Sequence, residues 1–332
     1  MKNQENGCRR LNLNQTARFL KKHDRYIILT HASPDGDTLG AAYALYYGLK
    51  ETGKCAEVIC PDIIPEKYGY FARPTDHIQR EGAIVVAVDV ADTKLLGSLQ
   101  DEFADHIDLN IDHHISNTQY AKNLYLDAKA SATCECMFEL LTVMKVNIND
   151  VTAKALYTGL VTDTGCFKYA SVTAKTHLIA AELYEYNIDA AEVNRIMFDT
   201  KSRGLIELEK MVLETAEYHF DDKCMVIAVT AEMQEKSGCS GPDLEGIAVI
   251  SRSVEGVLAG VTIKQTGNTE YKVSFRTYPP LSAAVIANKL GGGGHYGAAG
   301  ASLSGTLEEV KKAVLNAVRE TMEEADAGIT AR

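Results

Sequence analysis

The sequence predicts an α/β fold in two domains, an N-terminal parallel-sheet domain followed by a smaller C-terminal α/β domain. Three observations predict it. Short apolar, β-rich runs alternate with helical segments up to about Ile111, the pattern of βαβ units. From Ser131 to about Tyr218 the apolar spacing turns helical, and after Asp222 strand signals return. The chain has 332 residues, long enough for two domains of roughly 100–200 residues each.

The elements follow in order. Tyr26–Thr30 (YIILT) is a short β-rich run, followed by the turn sequence HASPDGD and a helix over Thr38–Leu49. Cys55–Cys60 is a second strand, Ala83–Val88 (AIVVAV) is the most apolar one, and Ile107–Ile111 closes the series. Leu205, Leu208, Met211 and Val212 keep helical spacing, so Arg203–Phe220 is expected to form one long connecting helix. KCMVIAVT, VLAGVTIKQ and YKVSFRT are the strands of the second domain. A terminal helix over Leu307–Glu324 opens at Thr306, with Glu308 and Glu309 in its first turn. The division expected is residues 1–195, a helical linker over 196–220, and 221–332.

Composition narrows the function. With 46% hydrophobic and 24% charged residues the chain is neither disordered nor apolar enough to span a bilayer. Met1–Asn14 is polar and lacks a secretory apolar stretch, so a cytoplasmic location is expected, with no membrane partner. Thirty-four basic residues against 45 acidic leave a net charge of −11, which disfavours a binder of long nucleic acid and leaves small phosphorylated substrates open. The 8 cysteines include no CxxC pair, which argues against structural zinc. A homodimer is compatible with all of this.

Charged groups cluster where strands end. His31, Asp35 and Asp37 follow YIILT, Asp89 follows AIVVAV, and Asp112-His113-His114 follows DLNI. Asp163 ends the helical segment Val151–Thr162. Each has a bland alternative: Asp37 or Thr38 can cap the next helix, Asp92 can cap one beginning near Thr93, and Asp163 can be a turn residue. Ligands of open α/β sheets bind beyond the carboxyl ends of strands, where residues distant in sequence converge. Four aspartates and two histidines (His31, Asp35, Asp37, Asp89, His113 and Asp163) suit Mn²⁺ or Mg²⁺. Six ligands are too many for one ion with an open position and fit two ions about 3.5–4 Å apart that share a carboxylate, the arrangement of phosphoryl transfer. In the second half, the four glycines Gly291–Gly294 before His295 let the backbone approach a ligand and cradle an anion, or simply make a flexible connection.

HASPDGD, the VDVAD around Asp89, IDHH and TDTG resemble, in order, the four motifs of the DHH phosphoesterases. GGGGHYGAAG over 291–300 is similar to the glycine-rich signature of the DHH-associated substrate-binding domain. The length and layout resemble the compact bacterial members that degrade short oligoribonucleotides and dephosphorylate 3′-phosphoadenosine 5′-phosphate (pAp). The resemblance implies two Mn²⁺, replaceable by Mg²⁺ or Co²⁺, one held by His31, Asp35 and Asp89 and the other by Asp37, Asp89, His113 and Asp163. It further implies that His114 contacts the scissile phosphate and that Asp112 orients a ligating histidine. Gly292, Gly293, Gly294, His295, Arg276 and Arg252 would bind the nucleotide, in a cleft between the domains. Ala41 and Thr277 stand where family members often carry serine, and neither is an implied metal ligand. The related manganese pyrophosphatases share the first-half motifs with a different second domain, so the GGGGH segment argues against pyrophosphate. The competing expectations are a cyclic- or linear-dinucleotide phosphodiesterase, which uses the same motifs, and a catalytically silent nucleotide- or RNA-binding module.

Overall fold

The computed structural model describes residues 7–330 apart from 245. The ends of the expected division, 1–6 and 331–332, lie outside the described residues. Two compact units divide between Thr200 and Lys201.

The first unit opens with β1 (Arg9–Arg10), α1 (Leu13–Lys22), β2 (Arg25–Leu29), α2 (Gly36–Glu51) and β3 (Cys55–Ile59). It continues through β4 (Ile84–Val88), a short α3 (Gln100–Phe103), β5 (Leu109–Asp112) and β6 (Asn123–Leu126). Four helices follow: α4 (Thr133–Met144), α5 (Asp150–Asp163), α6 (Ala174–Leu183) and α7 (Ala190–Asn194). The six strands form one sheet in the order β1-β6-β5-β4-β2-β3, and every pairing is parallel.

Alternation explains why the central strands read as unbroken apolar runs. Tyr26, Ile28, Val86 and Val88 face the core formed with α2, α4 and α5, while Ile27, Leu29, Val85 and Ala87 face a second core with Leu96, Phe103 and Ile107. A parallel strand covered on both faces needs apolar residues at successive positions. Chain order reverses between β2 and β4, which lie side by side with β3 beyond one and β5 beyond the other. That reversal opens a crevice at the carboxyl ends of these strands.

The second unit comprises α8 (Arg203–Leu213), β7 (Glu217–His219), β8 (Cys224–Val229), α9 (Ala231–Ser237), α10 (Ile247–Ile250), β9 (Ala259–Gln265) and β10 (Glu270–Thr277). It ends with α11 (Ala283–Lys289), β11 (Gly293–His295), β12 (Ala298–Ser304) and α12 (Leu307–Thr330). Its sheet runs β11-β12-β10-β9-β8-β7, parallel between β8 and β9 and antiparallel elsewhere. Val226, Val273 and Phe275 pack under α11 and α12, and Met225, Ile227 and Val229 pack on the opposite core with Leu208 and Val212 of α8. Among the described residues no helix is long and apolar enough to cross a membrane.

Two expectations need correction. Arg203–Phe220 is not one helix: α8 stops at Leu213, and β7 follows as an edge strand. The Thr215 hydroxyl ends the helix, donating to the Val212 carbonyl and accepting from the Ala228 amide at 2.9 Å, so it ties the chain to β8 instead. The glycine run is likewise no free connection, since Gly293–His295 pairs with Ala298–Gly300 as a hairpin.

Candidate metal centre and nucleotide site

The crevice at the strand reversal collects the charged residues. The β2–α2 turn supplies His31 and Asp35, the first turn of α2 supplies Asp37, β4 ends beside Asp89, and Asp112 closes β5 ahead of His113 and His114. Asp163 arrives as the last residue of α5. The cap of α2 is Asp35, whose Oδ1 accepts from the amides of Asp37 and Thr38 at 3.0 and 3.1 Å; neither Asp37 nor Thr38 serves. Asp92 caps the turn at Thr93, accepting from the Lys94 amide at 2.9 Å.

The side chains meet in three overlapping groups: His31, Asp35 and Asp89; Asp37, His113 and Asp163; and Asp89, His113 and His114. His31 Nε2 lies 3.6 Å from Asp35 and 3.7 Å from Asp89 Oδ2. His113 Nε2 lies 3.4 Å from Asp163, 3.8 Å from Asp89 Oδ1 and 4.0 Å from Asp37. Asp89 thus turns one oxygen to each histidine. Its own backbone is left-handed at φ 61°, a conformation that non-glycine residues adopt at a cost and that concentrates at functional sites.

The rings reveal which nitrogens face the cluster. His31 Nδ1 is 2.8 Å from the Ala32 carbonyl and His113 Nδ1 is 3.1 Å from the Ala130 carbonyl. A carbonyl only accepts, so both Nδ1 atoms carry a proton and both Nε2 edges face carboxylates. His113 Nε2 is buried and has no hydrogen-bond partner among the described residues. In a neutral ring that nitrogen carries a bare lone pair, which is unfavourable beside carboxylate oxygens unless a cation lies between them. The carboxylates show the same strain. Burial, then the charges of Asp37, Asp35 and Asp112, raises the Asp89 pKa well above the usual range, and burial with the Asp37 charge pushes Asp163 up to about 7. Oxygen donors with two imidazoles fit hard divalent ions such as Mn²⁺ or Mg²⁺.

Asp112 is placed differently from the cluster. It is fully buried and its carboxylate accepts from the amides of His113 and His114, from His114 Nδ1 at 2.8 Å and from the Asn117 amide group at 2.5 Å. It therefore orients His114, where the expectation named a ligating histidine; His113 is oriented by Ala130 instead. The hydrogen bond that His114 donates to Asp112, acting against burial, raises the His114 pKa. The His114 ring is 42% exposed, and with Nδ1 committed its Nε2 edge is the part left for a ligand.

Two contributors escaped sequence reasoning. Thr133 Oγ donates to Asp89 Oδ1 at 2.7 Å, and the Thr133 and Cys134 amides donate to Asp37 at 2.6 and 2.8 Å. Asn117 braces Asp112. Thr133 carries a local signal, a threonine before an apolar helical run, but that signal points to a cap and not to an aspartate 44 residues away.

In the second unit, His295, Ala298, Arg276 and Gly260 share one register row across β11, β12, β10 and β9. Aligned residues project from the same face, so His295 and Arg276 stand about 10 Å apart with small Ala298 between them. Gly260 lets the Ser251 backbone pack where a Cβ would come within 2.6 Å, and the following Arg252 lies over the Tyr278 ring at 5.3 Å. Arg276 also lines a cavity of about 400 Å³ with Thr262, Lys264, Lys272 and Ser274. Packing demands Gly292, where a Cβ would meet the Gly300 carbonyl at 2.1 Å, and Gly294, at φ 149°, whose Cβ would meet Ala299 at 2.5 Å. Gly293 is open, with nothing nearer to its Cβ direction than 3.9 Å.

A parallel sheet that gathers carboxylates and imidazoles at its strand reversal, joined to a mixed sheet with a basic face, defines a two-domain hydrolase architecture. Residues 25–160 match the DHH family, N-terminal domain, and residues 221–324 match the DHHA1 domain. The chain is 34% identical over 306 residues to the bifunctional oligoribonuclease and PAP phosphatase NrnA of Thermus thermophilus, covering 90% of each. A crystal structure of an exopolyphosphatase-related protein from Bacteroides fragilis, 25% identical, superposes with a TM-score of 0.85 over 95% of this chain and 97% of that one. RecJ in complex with Mn²⁺ from Thermus thermophilus shares the fold at 16% identity and a TM-score of 0.53, over 92% of this chain and 55% of RecJ. The chain belongs to the DHH family of phosphoesterases.

Proposed function

We propose that this protein is a manganese-dependent phosphoesterase that degrades short oligoribonucleotides to mononucleotides and converts pAp to AMP. The observation that carries the reading is buried Asp89 turning one oxygen to the Nε2 edge of each histidine, with His113 Nε2 buried and without a hydrogen-bond partner among the described residues. His31, Asp35 and Asp89 would hold one cation, and Asp37, Asp89, His113 and Asp163 the other. Bound there, divalent cations supply water activation and charge stabilisation on phosphoryl oxygens. The two activities asserted are those named for the Thermus relative.

The protein's own groups do the rest. Asp112 holds the His114 ring by Nδ1, so a protonated His114 presents its Nε2–H to a phosphate oxygen. Arg276 and His295, on one face of the second sheet, grip a second anionic or polar group of the substrate, with Gly293 open for close backbone approach and Arg252 following the Ser251 that packs on Gly260 of the same row. A span near 10 Å suits a nucleotide-sized ligand. We place the enzyme in the cytoplasm, with Mg²⁺ or Co²⁺ as substitute ions and the catalytic and substrate-binding domains as the two units that divide between Thr200 and Lys201, α8 and β7 belonging to the second.

Chromatographic product analysis with Mn²⁺ tests this on an RNA dinucleotide, pAp, a cyclic dinucleotide and its linear product. Mononucleotides from RNA and AMP from pAp are expected, with chelation abolishing both. Opening of the cyclic dinucleotide with little attack on RNA would instead place the protein among the signalling phosphodiesterases. No turnover of any substrate would leave only a binding module.

A further inference from the structure

We propose that Thr133 is a positioning residue for the cation centre, and that the first turn of α4 is the clamp that sets where Asp37 and Asp89 present their oxygens. The inference rests on the two-cation reading above and concerns a residue outside the proposed ligand set.

Helix α4 has no cap of its own. Ala132 stands at its N-cap position and offers no side-chain acceptor. The amide donors that every helix leaves unpaired in its first turn need acceptors when buried. Here Asp37, from another helix, supplies them: Oδ2 accepts from Thr133 and Oδ1 from Cys134. Both Asp37 oxygens are thereby pinned, and the positive end of α4 offsets part of the cost of burying the carboxylate. Helix α5 closes the other side. At Gly159 a Cβ would lie 2.1 Å from Cys134 Sγ and 2.8 Å from Asp37 Oδ1, so only glycine lets α5 approach this closely.

Asp89 is the residue that both cations would share, and it has the greater need of a pin. The terminal torsion of an aspartate is broad, so a carboxylate with one oxygen per ion loses that division on a modest rotation. Thr133 Oγ donates to Oδ1 at 2.7 Å, the oxygen 3.8 Å from His113, and leaves Oδ2 toward His31. One residue therefore fixes Asp37 through its backbone and Asp89 through its side chain. A buried threonine that merely satisfies its hydroxyl would contribute to folding and leave cation binding unchanged.

The test is calorimetric titration of chelator-stripped, full-length protein with Mn²⁺, comparing wild type, Thr133→Val and Thr133→Ser, with electron paramagnetic resonance of the Mn²⁺-loaded samples. Wild type is expected to bind two ions. Thr133→Val is expected to weaken at least one of them by about 10–100-fold and to change the spin-coupled spectrum. Thr133→Ser restores both, and the ratio of RNA to pAp turnover stays constant throughout. If Thr133→Val binds two ions with wild-type affinity and spectrum, the proposal falls. Should valine prevent folding, Thr133→Ala gives the same readout without added bulk, and failure of both to fold makes Thr133 a folding residue and overturns the proposal. A wild type that binds no Mn²⁺ would overturn the cation centre itself, a separate outcome.

Discussion

Asp112 and Asp89 are both buried carboxylates at strand ends, yet their surroundings set them to different tasks. Four donors reach Asp112, from the His113 and His114 amides, His114 Nδ1 and Asn117, and the His114 and Asn117 contacts engage its two oxygens separately. Asp89 accepts one hydrogen bond, from Thr133, and otherwise faces the Nε2 edges of His31 and His113, with His114 Nδ1 3.5 Å away. The first is built as a brace, and the second is left open for the ligand role proposed for it. Asp112→Asn is accordingly expected to lower kcat by about 10–100-fold while two Mn²⁺ still bind. Asp89→Ala is expected to lose tight binding of the second ion and metal-dependent turnover together. Equal loss of Mn²⁺ in both variants, measured by titration, would contradict the distinction. The six clustered residues were legible from sequence because each follows a strand or ends a helix. Thr133 and Asn117 were not, because their roles depend on partners brought close only by the fold.

Among the elements, β3 shows how a buried charge is accommodated at a sheet edge. It lies at one end of the order β1-β6-β5-β4-β2-β3, and Glu57 within it is only 4% exposed. Arg80 Nη2 donates to Glu57 at 2.9 Å, and His77 lies at 3.1 Å. Burial alone would raise the Glu57 pKa, but the hydrogen bonds from Arg80 and His77 outweigh it and hold the pKa below the usual value. A lowered carboxylate stabilises the fold above its unfolded pKa, about 4.3, and that contribution disappears as pH falls through the folded value. Glu57→Gln is expected to cost about 1–3 kcal/mol at neutral pH and to flatten the fall in Tm below about pH 4.3. An unchanged acid limb in thermal melts would assign that limb to other carboxylates. The buried parallel strands were readable because coverage on both faces forces apolar runs. Strand order was not, since nothing local in β4 states that β2 and β5 are its neighbours. The end of α8 was hidden too, because Thr215 breaks the helix through a contact with β8.

For the whole molecule, the chemistry divides between the two units. Every proposed cation ligand lies before Thr200, as does His114 for the scissile phosphate, and the other proposed nucleotide contacts lie after Lys201. The acidic total of −11 hides this division, since the basic face carrying Arg276, Lys264 and Lys272 sits in the second unit. Hydrogen exchange on the intact chain can read the two ligands separately. Mn²⁺ at 100 times its Kd adds about 2.7 kcal/mol per site to the state that binds it. It should slow exchange around His31–Thr38, Asp89, Asp112–His114 and the first turn of α4. AMP without Mn²⁺ should slow exchange around Arg276–Tyr278 and Gly292–Ala299, leaving the first set unchanged. Protection by Mn²⁺ alone at the β11–β12 hairpin would place a cation ligand in the second unit. Protection by AMP confined to the first unit would remove Arg276 and His295 from the substrate site.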